Sequence, residues 1–321
     1  MIEVQNLTKR YGHKTAVDGV SFTVAPGIVT GFLGPNGAGK STTMRMIVGL
    51  DRPTHGSVTV NGKPYAAHRS PLTEVGALLD AKAVHTGRSA YNHLRAMAAT
   101  HGIPLSRVHE VIEMTGLQSV AKKRVGGFSL GMGQRLGIAV ALLGNPRTLL
   151  LDEPVNGLDP EGVLWVRQLV RSLASEGRTV FLSSHLMSEM ALTADHIVVI
   201  GRGKILADAP VSQILAAASG NGVRVRSPQA TLLAELIAPT GAQVTSSEPG
   251  LLYVNGADAA AIGELAASSG VVLHELTPIE TTLEAAYMEL TADSVEYHSA
   301  PTGPSGPPAI SRPTTTLTGG K

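Results

Sequence analysis

Hydrophobic and polar positions change period several times along the 321-residue chain. Over the first 215 residues, short β-branched and apolar runs alternate with stretches of helical spacing. This is the pattern of an α/β domain with a largely parallel sheet. Strands are expected at residues 2–7 and 20–24, flanking a turn at Tyr11-Gly12, and at 29–33, where an apolar run enters a glycine-rich turn. A helix over 40–48 and a strand over 57–60, closed by Asn61-Gly62, follow. Between residues 89 and about 144 the spacing is helical throughout, with Pro104 and Gly126-Gly127 marking connections, which reads as an all-helical insertion. Alternation returns with a strand at 148–151, a helix opened by Pro160 and running to 175, and strands at 179–182, 196–200 and 204–207.

After an Ala/Ser/Gly stretch at 216–222 the pattern becomes strand 223–227, helix 228–238, strands 243–247 and 251–254, helix 257–268 and strand 271–276. That βαββαβ order predicts a small ferredoxin-like α+β domain, assigned to residues 221–292 with a last amphipathic helix at 281–290. Residues 299–321 contain 17 Pro, Gly, Ser or Thr among 23 positions and are expected to be a disordered tail. No internal repeat is found.

Composition narrows the chemistry. Cysteine is absent, which excludes disulfides, thiolate metal sites and a cysteine nucleophile. No apolar run reaches membrane-spanning length, and the N-terminus lacks a basic cluster followed by an apolar core, so neither a membrane span nor secretion by a signal peptide is expected. The net charge of +1 conceals an asymmetry. Residues 1–220 hold 22 Lys/Arg against 15 Asp/Glu, and residues 221–298 hold 2 against 10. Aromatic residues are only 3% of the chain, too few for base-stacking platforms, and no nucleic-acid partner is expected.

The strongest motif is Gly34-Pro35-Asn36-Gly37-Ala38-Gly39-Lys40-Ser41, a G-x-x-x-x-G-K-[ST] phosphate loop between a predicted strand and a predicted helix. Its glycines let successive N–H groups turn toward phosphate oxygens, and the helix N-terminus adds its positive end. Lys40 is expected to reach the β and γ phosphates, Ser41 to ligate Mg²⁺, and Thr42 to add a phosphate contact. At 149–154 an apolar strand ends in Asp152-Glu153. Acids there are costly to desolvate without a cation. Asp152 is expected to hold Mg²⁺ through its water shell, and Glu153 to polarise a water for in-line attack on the γ phosphate. His185 follows the strand at 179–182 and would share the edge of the sheet with Glu153 if the two strands are parallel neighbours.

Together these motifs resemble the ATP-binding subunit of an ATP-binding-cassette (ABC) transporter, over residues 1 to about 215. The resemblance implies that Tyr11 stacks on adenine, that Gly34, Asn36, Gly37 and Gly39 wrap the phosphates, and that His185 senses the γ phosphate. Phe128-Ser129-Leu130-Gly131-Met132 is similar to the family's signature sequence, which implies that Ser129 and Gly131 contact ATP held by the opposite subunit. Leu130 and Met132 replace the usual Gly and Gln. Asn156-Gly157-Leu158-Asp159 resembles the loop that touches the partner subunit. The loop at residues 75–80 resembles the segment where the family places a Mg²⁺-binding Gln, and here Asp80 holds that position as a candidate metal ligand.

The stretch at 76–94 and the run formed by the signature and the Gly133-Gln134-Arg135 that follows it together resemble the branch that powers separate membrane permeases in bacterial drug and peptide-antibiotic resistance. The resemblance therefore implies an ATPase using ATP and Mg²⁺, a homodimer of ATP-binding subunits paired with an integral membrane permease, and a peripheral location at the cytoplasmic face of the cell membrane. One alternative is a soluble ABC-type ATPase acting on ribosomes or nucleic acid, although a single cassette without sustained heptads does not favour it. A second is a catalytically impaired regulatory subunit, suggested by Asp80 and Leu130. The acidic C-terminal domain reads as a dimer-stabilising or regulatory appendage before a ligand sensor.

Overall fold

The computed structural model describes residues 1–81, 83–217, 222–279 and 282–291. The expected 299–321 tail lies outside them.

The first strands are longer than their apolar cores suggest. β1 (Ile2–Tyr11) and β2 (Lys14–Val24) close a hairpin in which Tyr11 pairs with Lys14. Ladder irregularities between Val4 and Arg10 let both strands stay paired although their apolar positions do not alternate strictly. β3 (Val29–Leu33) leads into α1 (Lys40–Ile47), followed by β4 (His55–Val60), α2 (Pro71–Glu74) and β5 (Val75–Leu78). The helical stretch comprises α3 (Ala90–Thr100), α4 (Leu105–Met114) and α5 (Leu130–Leu142). The alternating part continues with β6 (Thr148–Leu151), α6 (Pro160–Ser175), β7 (Thr179–Ser183), α7 (Met187–Thr193), β8 (His196–Gly201), β9 (Lys204–Pro210) and α8 (Val211–Ala217).

Two sheets organise this part. The three-stranded sheet β2-β1-β4 is antiparallel, and the six-stranded sheet has the order β5-β6-β7-β3-β8-β9 with β9 antiparallel to the rest. One apolar core lies between them, centred on Phe22, Phe32 and Phe181, with ring centroids 5.1 to 5.7 Å apart. The opposite face of the six-stranded sheet is covered by α3 to α7 in a second core. β3, β6 and β7 are fully buried, which is why they read as continuous apolar runs.

The segment at 75–80, expected as a loop, is corrected over its first four residues. β5 pairs in parallel with β6, Val75 to Thr148 through Leu78 to Leu151. Gly76 permits this, because a side chain there would run into the Ala141 carbonyl of α5.

Beyond residue 221, β10 (Gly222–Arg226), α9 (Ala230–Ile237), β11 (Gln243–Glu248), β12 (Leu251–Asn255), α10 (Ala259–Ser268) and β13 (Glu275–Ile279) form an antiparallel sheet of order β11-β12-β10-β13. The two helices pack on its apolar side. The last strand lies further along the chain than the expected 271–276. Its register is set opposite β10, and its edge position tolerates Pro278, which has no N–H to donate.

The final helix, α11 (Leu283–Thr291), does not pack with the residues it was grouped with on chain order. Leu283, Ala286 and Tyr287 are buried in the first domain's core, where α11 meets α7, α8 and β9. Two apolar faces meet there, a long-range pairing that local periodicity does not encode.

Candidate nucleotide site

The C-terminal ends of β3, β5, β6 and β7 lie along one edge of the six-stranded sheet, because all four strands are parallel and in register: Phe32 opposite Ser183, Leu151 opposite Leu182, Leu78 opposite Leu151. The phosphate loop, Asp80, Asp152-Glu153 and His185 each follow one of these ends. Ligands in open α/β sheets bind at such an edge.

A cavity of about 400 Å³ opens there, of the size that holds a small ligand. It is lined by Asn36, Gly37, Gly39, Lys40, Ser41, Thr42, Asp80, Asp152 and Glu153 from the sequence-derived set, together with Leu130, Gln134 and Asn156. Gly37 and Gly39 have φ of +80° and +112°, and a side chain at Gly39 would lie 2.6 Å from the Ala16 carbonyl. Glycine is required there on both counts. Gly39 precedes α1 without a side-chain cap, so the first-turn N–H groups are left to an anion.

Lys40 is buried, 8% exposed, and its Nζ donates to the Gly34 carbonyl at 2.6 Å and the Pro35 carbonyl at 3.2 Å. Burial pulls its ammonium below the ordinary lysine value, while Glu153 and then Asp152 push it back up. Asp152 accepts a hydrogen bond from the Ser183 hydroxyl, and Ser183 Oγ in turn accepts the Glu153 N–H at 3.0 Å. Glu153 has φ of +51°. Its carboxylate accepts from His185 Nδ1 at 2.7 Å, so His185 reaches the cavity through Glu153 rather than lining it.

Among the described residues no three His, Cys, Asp or Glu side chains converge as a metal site. The oxygen donors of Ser41, Asp152 and Asp80 around the cavity suit Mg²⁺, which takes few protein ligands and completes its shell with phosphate oxygens and water.

Five of the predicted site residues stand apart from the cavity wall: His185, Gly34, whose carbonyl accepts from Lys40, and Tyr11, Ser129 and Gly131. The Tyr11 ring is half exposed, its hydroxyl donates to Asp51 at 3.0 Å, and Lys9 Nζ lies 4.9 Å from its ring centre. Asp51 is itself held at 2.8 Å by Arg45, the guanidinium keeping its carboxyl below the usual range. Ser129 caps α5, accepting the Met132 N–H at 3.2 Å, and Gly131 lies against Gly157, whose carbonyl a side chain there would approach to 3.1 Å. Neither Ser129 nor Gly131 lines the chain's own cavity, whereas Leu130 between them does. Sequence reasoning gave Gln134 no role beyond its place in the run after the signature; its other signal is an amide placed among the apolar positions of α5.

A family model described as ABC transporter matches residues 17–156, and a model of a domain of unknown function matches residues 221–284. The chain is 42% identical over 217 residues to the bacitracin transport ATP-binding protein of Bacillus licheniformis, covering 67% of this chain and 71% of that protein. It is 39% identical over 206 residues to a lantibiotic transport ATP-binding protein of Streptococcus pyogenes, covering 64% and 89%. The linearmycin resistance ATP-binding protein of Bacillus subtilis is 32% identical over 308 residues, covering 93% and 91%, a span that takes in the second domain. Among solved structures, the ATP-binding subunit of an ABC transporter superposes with a TM-score of 0.62 at 25% identity, covering 67% and 92%. A dimeric bacterial ABC transporter cassette gives 0.61 at 24%, covering 66% and 99%, a likeness of fold.

Proposed function

The chain belongs to the ABC transporter family as an ATP-binding subunit, and from that premise we propose that it hydrolyses ATP to power a separate membrane permease that exports a drug or peptide antibiotic. The observation that carries the reading is the single cavity in which the phosphate loop faces Asp152 and Glu153. Lys40 and the first-turn N–H groups of α1 bind phosphate oxygens, with Asn36, Gly37, Gly39 and Thr42 shaping the cradle and the Gly34 carbonyl holding Lys40. Glu153 takes a proton from a water aligned with the γ phosphate, and His185 holds that carboxylate in place. Ser41, Asp152 and Asp80 are the residues that would hold Mg²⁺, which when bound would supply neutralisation of phosphate charge.

Ser129 and Gly131 stand outside their own chain's cavity, which fits a role in contacting ATP on a second copy across a homodimer. Tyr11, anchored by Asp51, offers a flat half-exposed ring to the base. No helix among the described residues is long and apolar enough to cross a membrane, and the chain acts in this reading as a peripheral subunit on the cytoplasmic face. The relatives' transport and resistance functions favour this over an ATPase acting on ribosomes or nucleic acid.

Affinity purification of the tagged chain from detergent-solubilised host membranes with Mg²⁺ and ATP tests the pairing. Recovery of a multi-span integral protein is expected, and recovery of ribosomes would move the weight to the alternative.

A further inference from the structure

Gln134 is 4% exposed on α5, a helix whose other buried positions are apolar or glycine. An amide buried that deeply is costly unless it is bonded. Its Nε2 donates to the backbone carbonyl of Glu153 at 2.8 Å. The same carbonyl accepts the Asn156 N–H at 3.2 Å. Glu153 needs such anchoring, since φ of +51° is a conformation that a side chain with a Cβ keeps only when its surroundings hold it. Its N–H is fixed by Ser183 and its carboxylate by His185, both from the β7 edge, whereas Gln134 reaches it from the helical layer.

We propose that Gln134 is a positioning residue for ATP hydrolysis, its side-chain amide holding the Glu153 peptide so that the carboxylate faces the cavity. The inference rests on reading Glu153 as the group that activates water. It makes α5, the helix capped by Ser129, one of the supports of the catalytic carboxylate in the same chain.

The test is steady-state ATPase kinetics and equilibrium ATP binding on the purified full chain and three variants. Gln134→Leu keeps the volume without the donor, and Gln134→Glu keeps the shape and polarity but accepts where the glutamine donates. Each is expected to lose roughly tenfold or more in kcat while the Kd for ATP stays within about twofold, as for a group that acts only on the chemical step. Glu153→Gln serves as the reference. Parental kcat in both Gln134 variants beside an inactive Glu153→Gln would overturn the proposal alone. Losses of ATP affinity equal to the losses in kcat would also overturn it, because Gln134 would then support the cavity as a whole. Parental turnover by Glu153→Gln would remove both the proposal and the reading beneath it.

Discussion

His185 Nδ1 lies 2.7 Å from the Glu153 carboxylate, although 32 residues separate them in the chain. The contact exists because β6 and β7 are parallel neighbours and each residue stands just beyond its strand's end. His185→Ala removes that anchor while leaving the phosphate loop untouched. ATP binding is expected to persist while turnover falls on the order of a hundredfold, the range for losing a group that supports proton transfer. Parallel measurements of kcat and ATP affinity check this, and an unchanged kcat would remove His185 from the site.

Lys40 supplies the pH dependence. Burial lowers its value, so the ammonium is lost at lower pH than for an exposed lysine, and ATP affinity is expected to weaken on the alkaline side sooner than an exposed lysine would allow. Glu153 and Asp152 oppose that shift, so Glu153→Gln should move the weakening to lower pH. Lys40→Ala should abolish binding altogether. ATP titration from neutral to alkaline pH is the measurement, and an affinity independent of pH and of Lys40 would contradict the assignment.

Ser129 has two separable roles. As the cap of α5 it is worth about 1 kcal/mol, and Asn substitutes well in that role. Ser129→Asn is therefore expected to keep its melting temperature and its single-chain ATP affinity but to lose dimer turnover. A loss of stability without a loss of turnover would leave only the cap.

Tyr287 ties the end of the chain to the first domain. It is 8% exposed, and burial pushes its hydroxyl up to about 12. An unfolded tyrosine ionises near 10, so the folded state favours the protonated form, and stability should fall as pH climbs from about 10 through 12. Tyr287→Phe should flatten that alkaline decline. Tyr287→Ala should cost about 3 kcal/mol by leaving a cavity. Chemical denaturation between neutral and alkaline pH measures both effects.

What was legible in the sequence was local. The phosphate loop and Asp152-Glu153 announce themselves because glycine, lysine and paired acids stand at fixed offsets from buried apolar strands. β5 was hidden, because four residues containing a glycine carry little strand signal until α5 packs against Gly76. Gln134 was hidden for a related reason: its partner is a backbone carbonyl 19 residues away, a contact made by tertiary packing. The docking of α11 on the first domain depends on a complementary apolar face that chain order does not reveal.

The most direct test of the account compares Mg²⁺-dependent ATP hydrolysis by the purified chain and by Glu153→Gln, with ATP binding and dimer mass followed by light scattering in the same samples. The account predicts that the parent hydrolyses ATP, and that Glu153→Gln binds it with similar affinity, loses at least a hundredfold in turnover and accumulates as a dimer. Turnover by Glu153→Gln at the parental rate would contradict it.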